Sequence, residues 1–443
     1  MLVGVAYSSH NVIMHHEVTY HDLKGGARLM AVRMPNTITY YWASFFKAGF
    51  RFMSTEKYEI PHLAEHMAFA GTKSYPDDLK FKIEIERDGT GYNATTGGDL
   101  VSYYFVGSRD QVKRIIPLNM SQIYEPLFEQ KKIEQEQQVI TREMSQKSEE
   151  DNWRLSYTST NLIFPEANPD ITQRIQNIAT LSKKDLEEYH RTFYGTANTG
   201  FVLAGDYSDK ELEEIIALVN GYLDKSRPGT IQQFKSMKLG DFGGKIHVLE
   251  PHRPSQAAFT LRFIRPGRDE KNYPALKLIS LMLTGSLSSR LQRKAREGGL
   301  TYGIGTSAPI DDEATMFSVS SQTGVKEIQD LVTLSAQEIA AIGKGEYSDE
   351  ELAHAKGFTV GSIRRSYQLP SQFAGWYIEQ FVYGLERESP EDWIGKIEAV
   401  TRQDIQRAYA AYFRRDQSLL SMVGKDLKDR VGEYDQILDK HFA

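Results

Sequence analysis

Leu181-Ser182-Lys183-Lys184-Asp185-Leu186, continued by Phe193-Tyr194 and then Phe201-Val202-Leu203-Ala204-Gly205-Asp206, returns without a gap 219 positions later (Leu181 against Val400). The second copy reads Val400-Thr401-Arg402-Gln403-Asp404-Ile405, then Tyr412-Phe413 and Leu420-Ser421-Met422-Val423-Gly424-Lys425. Each copy predicts a helix capped by Ser or Thr, a short turn, and a buried strand that stops at glycine. Helix, aromatic pair and glycine-ended strand in the same order point to a duplicated unit. With strands early, helices next and one more strand last, the fold class is α+β in two tandem homologous units. The first unit is expected over residues 1–225 and the second over 246–443. Between them, 226–245 reads as a linker, because Ser226-Arg227-Pro228-Gly229 through Gly240-Asp241-Phe242-Gly243-Gly244 is rich in turn formers and lacks apolar periodicity. Amphipathic periodicity predicts helices over 212–222, 328–342, 349–366 and 392–400.

The two copies differ at one place that carries chemistry. In the first, the β-rich run Thr37 to Phe46 leads through Gly49 to Pro61, a good first-turn residue, and then to His62-Leu63-Ala64-Glu65-His66. Two imidazoles four apart on a helix lie one turn above each other, so both can bind one metal ion. Glu65 lies on the same face, placed to exchange protons with a water at that ion. This H-x-x-E-H order is the reverse of the H-E-x-x-H zinc pattern. Zinc favours neutral imidazole nitrogen, and peptide-bond hydrolysis needs an acid that takes a proton from water and gives it to the leaving amine. The shift of 219 sets His62, Glu65 and His66 against Leu281, Thr284 and Gly285. The second unit therefore has no ligands there.

A catalytic zinc takes three protein ligands and keeps one position open. The third is sought on the stretch of helix formers from Gln130 to Glu143, where Glu136 and Glu143 lie two turns apart on one face. Val139 and Ile140 between them suggest that this face turns inward. Glu134 and Glu149-Glu150-Asp151 are expected in solvent.

The chain has 443 residues, a formal charge of −6 and no cysteine. That balance gives no electrostatic reason to expect nucleic acid, and the absence of thiols confines a metal site to His and carboxylate. No apolar run is long enough to span a membrane. Residues 1–20, broken by His10, His15 and His16, do not read as a signal peptide, so a cytoplasmic setting is expected. His15-His16 reads as a solvated pair rather than a second metal site.

His62-Leu63-Ala64-Glu65-His66-Met67-Ala68-Phe69-Ala70-Gly71-Thr72 with Tyr75-Pro76 resembles the zinc motif of the pitrilysin/insulinase family of metallopeptidases. It is most similar to the branch of mitochondrial-processing-peptidase-like chains that work in pairs. The likeness continues through Gly91-Tyr92-Asn93-Ala94-Thr95-Thr96 and Asp99, the acidic helix, Asn198 to Asp206, and Gly298-Gly299-Leu300-Thr301-Tyr302-Gly303. The resemblance implies one zinc ion per chain, held by His62, His66 and Glu143, with Glu136 supporting a metal-binding histidine. It implies that Glu65 is the general base and that Asn93 and Ala94 lie on a strand to which a substrate peptide adds. It implies an Arg/Tyr pair in the second unit that reaches the substrate. Tyr302 fits; Arg296 is the nearest arginine, one residue short of the usual spacing, with Arg290 and Arg293 as alternatives. The implied function is endoproteolysis of unfolded peptides, each chain forming half of a clamshell chamber. Homodimer and heterodimer with a related chain both remain open, as does a non-catalytic assembly subunit of the same fold.

Overall fold

Apolar strands build one sheet in each unit of the chain, for which a computed structural model describes residues 15–443. The reading of residues 1–14, His10 included, lies outside the described residues. The first sheet contains β1 (Glu17–Asp22), β2 (Arg28–Arg33), β3 (Thr39–Lys47), β4 (Gly91–Thr96), β5 (Leu100–Ser108) and β6 (Thr199–Gly205), in the order β1-β2-β6-β3-β5-β4. β2 and β6 run parallel, and the other neighbours antiparallel. The second contains β7 (Lys245–Leu249), β8 (Gln256–Pro266), β9 (Ile304–Ser307), β10 (Ala314–Gly324) and β11 (Ser418–Val423), in the order β7-β11-β8-β10-β9. Here β7 and β11 are the parallel pair. Strand for strand this repeats β2-β6-β3-β5-β4, so the duplication in sequence is a duplication in space.

The repeated segment shows why. The helices Lys183–Phe193 and Arg402–Tyr412 both begin with a reciprocal cap, Ser182 with Asp185 and Thr401 with Asp404. Each cap satisfies amide groups that the first turn would otherwise leave unpaired. Each helix is followed by a short turn, Thr196–Asn198 or Arg415–Gln417, and then by β6 or β11 in the middle of its sheet. β6 ends at Gly205, whose φ of +148° and close approach to the Thr39 carbonyl exclude a side chain.

Both faces of the central strands are covered, which is why they read as continuous apolar runs. In the first unit Met30, Val32, Ala43, Phe45, Val202 and Ala204 pack beneath Phe373, Tyr377 and Phe381 of the helix Pro370–Tyr383. That helix comes from the far end of the chain. Of the described residues, 15–144, 169–235 and 364–391 form the first compact unit; 145–168, 236–363 and 392–443 form the second. In the second, Leu155 packs with Ala258 and Val423, and Ile163 and Phe164 with Ile264, Ala314 and Leu419. The boundaries read from the sequence do not register these exchanged segments, because both are decided by contacts between residues remote in the chain. Among the described residues, no helix is long and apolar enough to cross a membrane.

Candidate metal centre

β3 delivers the chain through Ala48-Gly49 and two short turns to the helix Ile60–Met67, which carries His62, Glu65 and His66. Pro61 occupies its first turn, and Ile60, Leu63, Ala64 and Met67 are buried, which fixes the helix's rotation and leaves the two imidazoles together. Their ring centroids are 4.8 Å apart. Gly71, at φ +115°, turns the chain just beyond this helix; a Cβ there would lie 2.8 Å from the Pro76 carbonyl oxygen.

The helix Gln130–Glu149 supplies the distal acids. Ile133, Ile140 and Met144 form its buried stripe, and Glu136 and Glu143 each follow a buried isoleucine by three positions. Val139 is exposed, contrary to the expectation that it faces inward with Ile140. The buried stripe is centred on the Ile140 side of the acid face, and Val139 falls beyond its other edge. Glu134 is exposed, as expected.

The fold brings a remote acid to the histidine pair: His62, His66 and Glu143 each offer a ligand atom, all within 4.8 Å of one another. His62 Nε2 is 3.8 Å from Glu143 Oε2. The Nδ1 of each histidine is engaged elsewhere, His62 by Glu59 Oε2 at 3.0 Å and His66 by Glu136 Oε2 at 2.9 Å. A carboxylate on the far nitrogen fixes the tautomer and turns Nε2 toward a common point. Ligands around a four-coordinate zinc at 2.0–2.1 Å sit about 3.4 Å apart, so small rotamer adjustments close this set. Two imidazoles, one carboxylate and no thiolate fit zinc.

The electrostatics follow from the same contacts. Burial disfavours the charged form of His66, but its hydrogen bond to Glu136 and the nearby charges of Glu136, Glu65 and Glu143 outweigh this and raise its pKa. The His66 hydrogen bond holds the Glu136 carboxyl below its ordinary value. Burial presses the Glu59 carboxyl upward, yet the His62 hydrogen bond and the Arg174 charge win and hold it down. The Thr96 hydroxyl at the end of β4 donates to Glu65 Oε2.

Among the described residues, β4 is the outermost strand on its side of the sheet, paired only with β5. Asn93 is exposed and Ala94 buried; the Ala94 N–H donates to the Asn93 side-chain oxygen at 2.9 Å. In the second unit, Tyr302 is 88% exposed and the Arg296 guanidinium lies over its ring at 5.2 Å. The alternative arginines are engaged. Arg290 binds Glu338 at 2.7 Å and the Glu346 carbonyl at 2.7 Å, while Arg293 reaches Glu297 at 3.2 Å. Near the start of the described chain, His16 is no solvated end: its Nε2 meets the Tyr377 hydroxyl at 2.7 Å and its ring packs on Phe373.

Sequence reasoning missed Glu59, Arg174 and Thr96. Glu59 had a signal, since it lies three positions before His62 and so one turn away. Arg174, 115 positions from Glu59, had none.

A duplicated α+β chain carrying a paired-histidine, carboxylate cluster on one unit defines a class of metallopeptidase-like proteins. Comparison places the chain within that class. The insulinase (peptidase family M16) pattern matches residues 31–162, and the pattern described as the peptidase M16 inactive domain matches 180–357. The chain belongs to the pitrilysin/insulinase family, peptidase family M16. A Rickettsia felis protein named an uncharacterized zinc protease is 23% identical over 341 residues, covering 75% of this chain and 80% of that one. A probable mitochondrial-processing peptidase subunit beta of Arabidopsis thaliana is 25% identical over 280 residues, 62% of this chain and 52% of that one. The crystal structure of a protease from Helicobacter pylori superposes with a TM-score of 0.80 at 19% identity, over 93% of this chain and 99% of that one.

Proposed function

We propose that this chain is a zinc-dependent endopeptidase acting on unfolded peptides. The observation that carries the reading is the convergence of His62, His66 and Glu143, each with a ligand atom within 4.8 Å of the others, with the acid Glu65 on the same helix as the two histidines. The names of its relatives as zinc proteases and a processing peptidase support it.

His62, His66 and Glu143 would hold the ion. When bound, zinc supplies Lewis acidity that makes water a nucleophile near neutral pH and polarises the scissile carbonyl. Glu65 takes the proton from the attacking water and delivers it to the departing amine. Thr96, donating to one Glu65 oxygen, fixes the carboxylate's orientation. Glu136 and Glu59 keep the histidines as Nδ1–H tautomers. The exposed side of β4 offers main-chain groups near Asn93 and Ala94 for an extended peptide to pair with, a mode that selects unfolded chains over folded ones. Arg296 and Tyr302 are assigned to grip the substrate and its carbonyl. Two such chains, identical or related, close around the substrate as a dimeric chamber.

The test is hydrolysis of an unstructured peptide library by the purified chain, alone and with chelator. The expected result is activity that chelator abolishes and zinc restores. The Glu65→Gln variant should bind zinc normally and lose at least about 100-fold in turnover, the contribution typical of a general base. Wild-type turnover by that variant would remove Glu65 from the mechanism. Inactivity of a zinc-loaded chain on its own that is relieved by a related second chain would favour the heterodimer.

A further inference from the structure

Glu59 stands at the N-cap of the metal-binding helix, where a short acid ordinarily accepts from the first-turn amides. Its side chain makes no such capping bond. It turns instead to His62 Nδ1, 3.0 Å away, and to Arg174 Nε. The pair is deeply buried, with side-chain exposures of 1% for Glu59 and 8% for Arg174. Arg174 lies against the rings of Phe50 and Tyr58 at 5.1 and 4.8 Å. Its helix, Ile171–Ile178, is anchored independently by an Asp170 cap and by Asn177 donating to the Thr55 carbonyl at 3.1 Å. The corresponding carboxylate on His66, Glu136, is 27% exposed and comes from the Gln130–Glu149 helix.

We propose that the Arg174–Glu59 pair is a positioning device for the metal centre: it sets the tautomer and ring orientation of His62 before any ion arrives. This rests on the zinc-site reading above and deepens it. A buried ion pair is costly to form and adds little net stability, so its retention calls for another role. Here the role is geometric. Arg174 Nε donates to one Glu59 oxygen and holds the carboxylate in place, so the other oxygen faces His62 Nδ1, the ring presents Nδ1–H to it, and Nε2 is left with its lone pair directed toward the ligand cluster. His62 is thereby the preorganised ligand, while His66 depends on an acid carried by another helix. The docking of residues 171–178 against residues 50–59 is thus coupled to metal affinity.

The experiment uses the full chain and zinc alone. Glu59→Gln by itself takes the carboxylate charge from beside a buried guanidinium and threatens folding, so two double variants are compared. Glu59→Leu/Arg174→Met removes both charges with apolar replacements that buried pairs tolerate. Glu59→Gln/Arg174→Met also removes both charges but restores an acceptor for His62 Nδ1–H. In chelator competition the Leu/Met variant should bind zinc about 10- to 100-fold more weakly than wild type, and the Gln/Met variant, which has an acceptor but no guanidinium to hold it, should recover only part of that loss. In the metal-free wild type at neutral pH, nitrogen NMR of the imidazoles should show His62 as the Nδ1–H tautomer. Wild-type zinc affinity in the Leu/Met variant, wild-type affinity in the Gln/Met variant, or an Nε2–H tautomer for His62 would each overturn the proposal. Absence of zinc binding by the wild type would instead overturn the metal-site reading, and the tautomer measurement remains informative in that case.

Discussion

At the scale of single residues, the centre divides into groups readable from spacing and groups supplied by tertiary contact. His62, Glu65 and His66 were legible because helical periodicity alone puts them on one face. Glu143 was one of two acids on the distal helix. Spacing could not choose between them, since positions seven apart share a face; the fold assigns Glu143 to the ligand cluster and Glu136 to His66 Nδ1. Arg296 and Tyr302 illustrate the other kind of ambiguity. Three arginines lie within one short helix, and only contacts separate them: Arg290 and Arg293 are paired with acids, whereas Arg296 lies over an exposed tyrosine ring. Tyr302→Phe removes one hydroxyl from a side chain that packs against little else. It should lower kcat/KM for a peptide by about 100-fold, as loss of a carbonyl-stabilising donor does, while melting temperature and zinc affinity stay at wild-type values. An unchanged kcat/KM would take Tyr302 out of the reaction.

Among the elements, the helix Lys183–Phe193 shows how local rules and burial combine. Its cap and its aromatic end were written in the sequence, but the state of His190 was not. The ring lies against Tyr194 at 4.8 Å, and Nε2 meets the Ile123 carbonyl at 2.8 Å, which requires that nitrogen to carry the proton. Burial pushes the His190 pKa down to about 4; the Ile123 bond opposes the shift and the Arg227 and Lys73 charges add to it. Above about pH 6.5 both folded and unfolded chains hold this histidine neutral. Between 6.5 and 4 the unfolded chain takes up a proton that the folded chain refuses, so the stabilisation is lost progressively as pH falls. Thermal melting of wild type should therefore decline more steeply from pH 7 to pH 5 than that of His190→Gln, whose amide can still donate to Ile123. Parallel declines would contradict the assignment. The distal helix makes the complementary point. Helix propensity marked Gln130–Glu149 clearly, yet the rotation that exposes Val139 and buries Ile140 comes from packing that no local pattern records.

For the whole molecule, the duplication was legible because a repeat of capped helix, turn and central strand returns in register at an offset of 219 positions. The exchange of residues 145–168 and 364–391 between the units was not, since amphipathic periodicity says that a helix buries a face but not against which sheet. The same limit hid Arg174. One copy of the unit carries His62, Glu65 and His66 while the other has Leu281, Thr284 and Gly285 at the matching positions, so the proposed site predicts a single ion for the chain as a whole. The most direct test of the central claim is zinc stoichiometry and affinity of the purified chain beside its Glu143→Ala variant. The account predicts one zinc per wild-type chain and an affinity at least about 100-fold weaker without Glu143, a greater loss than removal of a supporting carboxylate usually brings. A wild-type chain that takes up no zinc, or a variant that holds it as tightly as wild type, would contradict it.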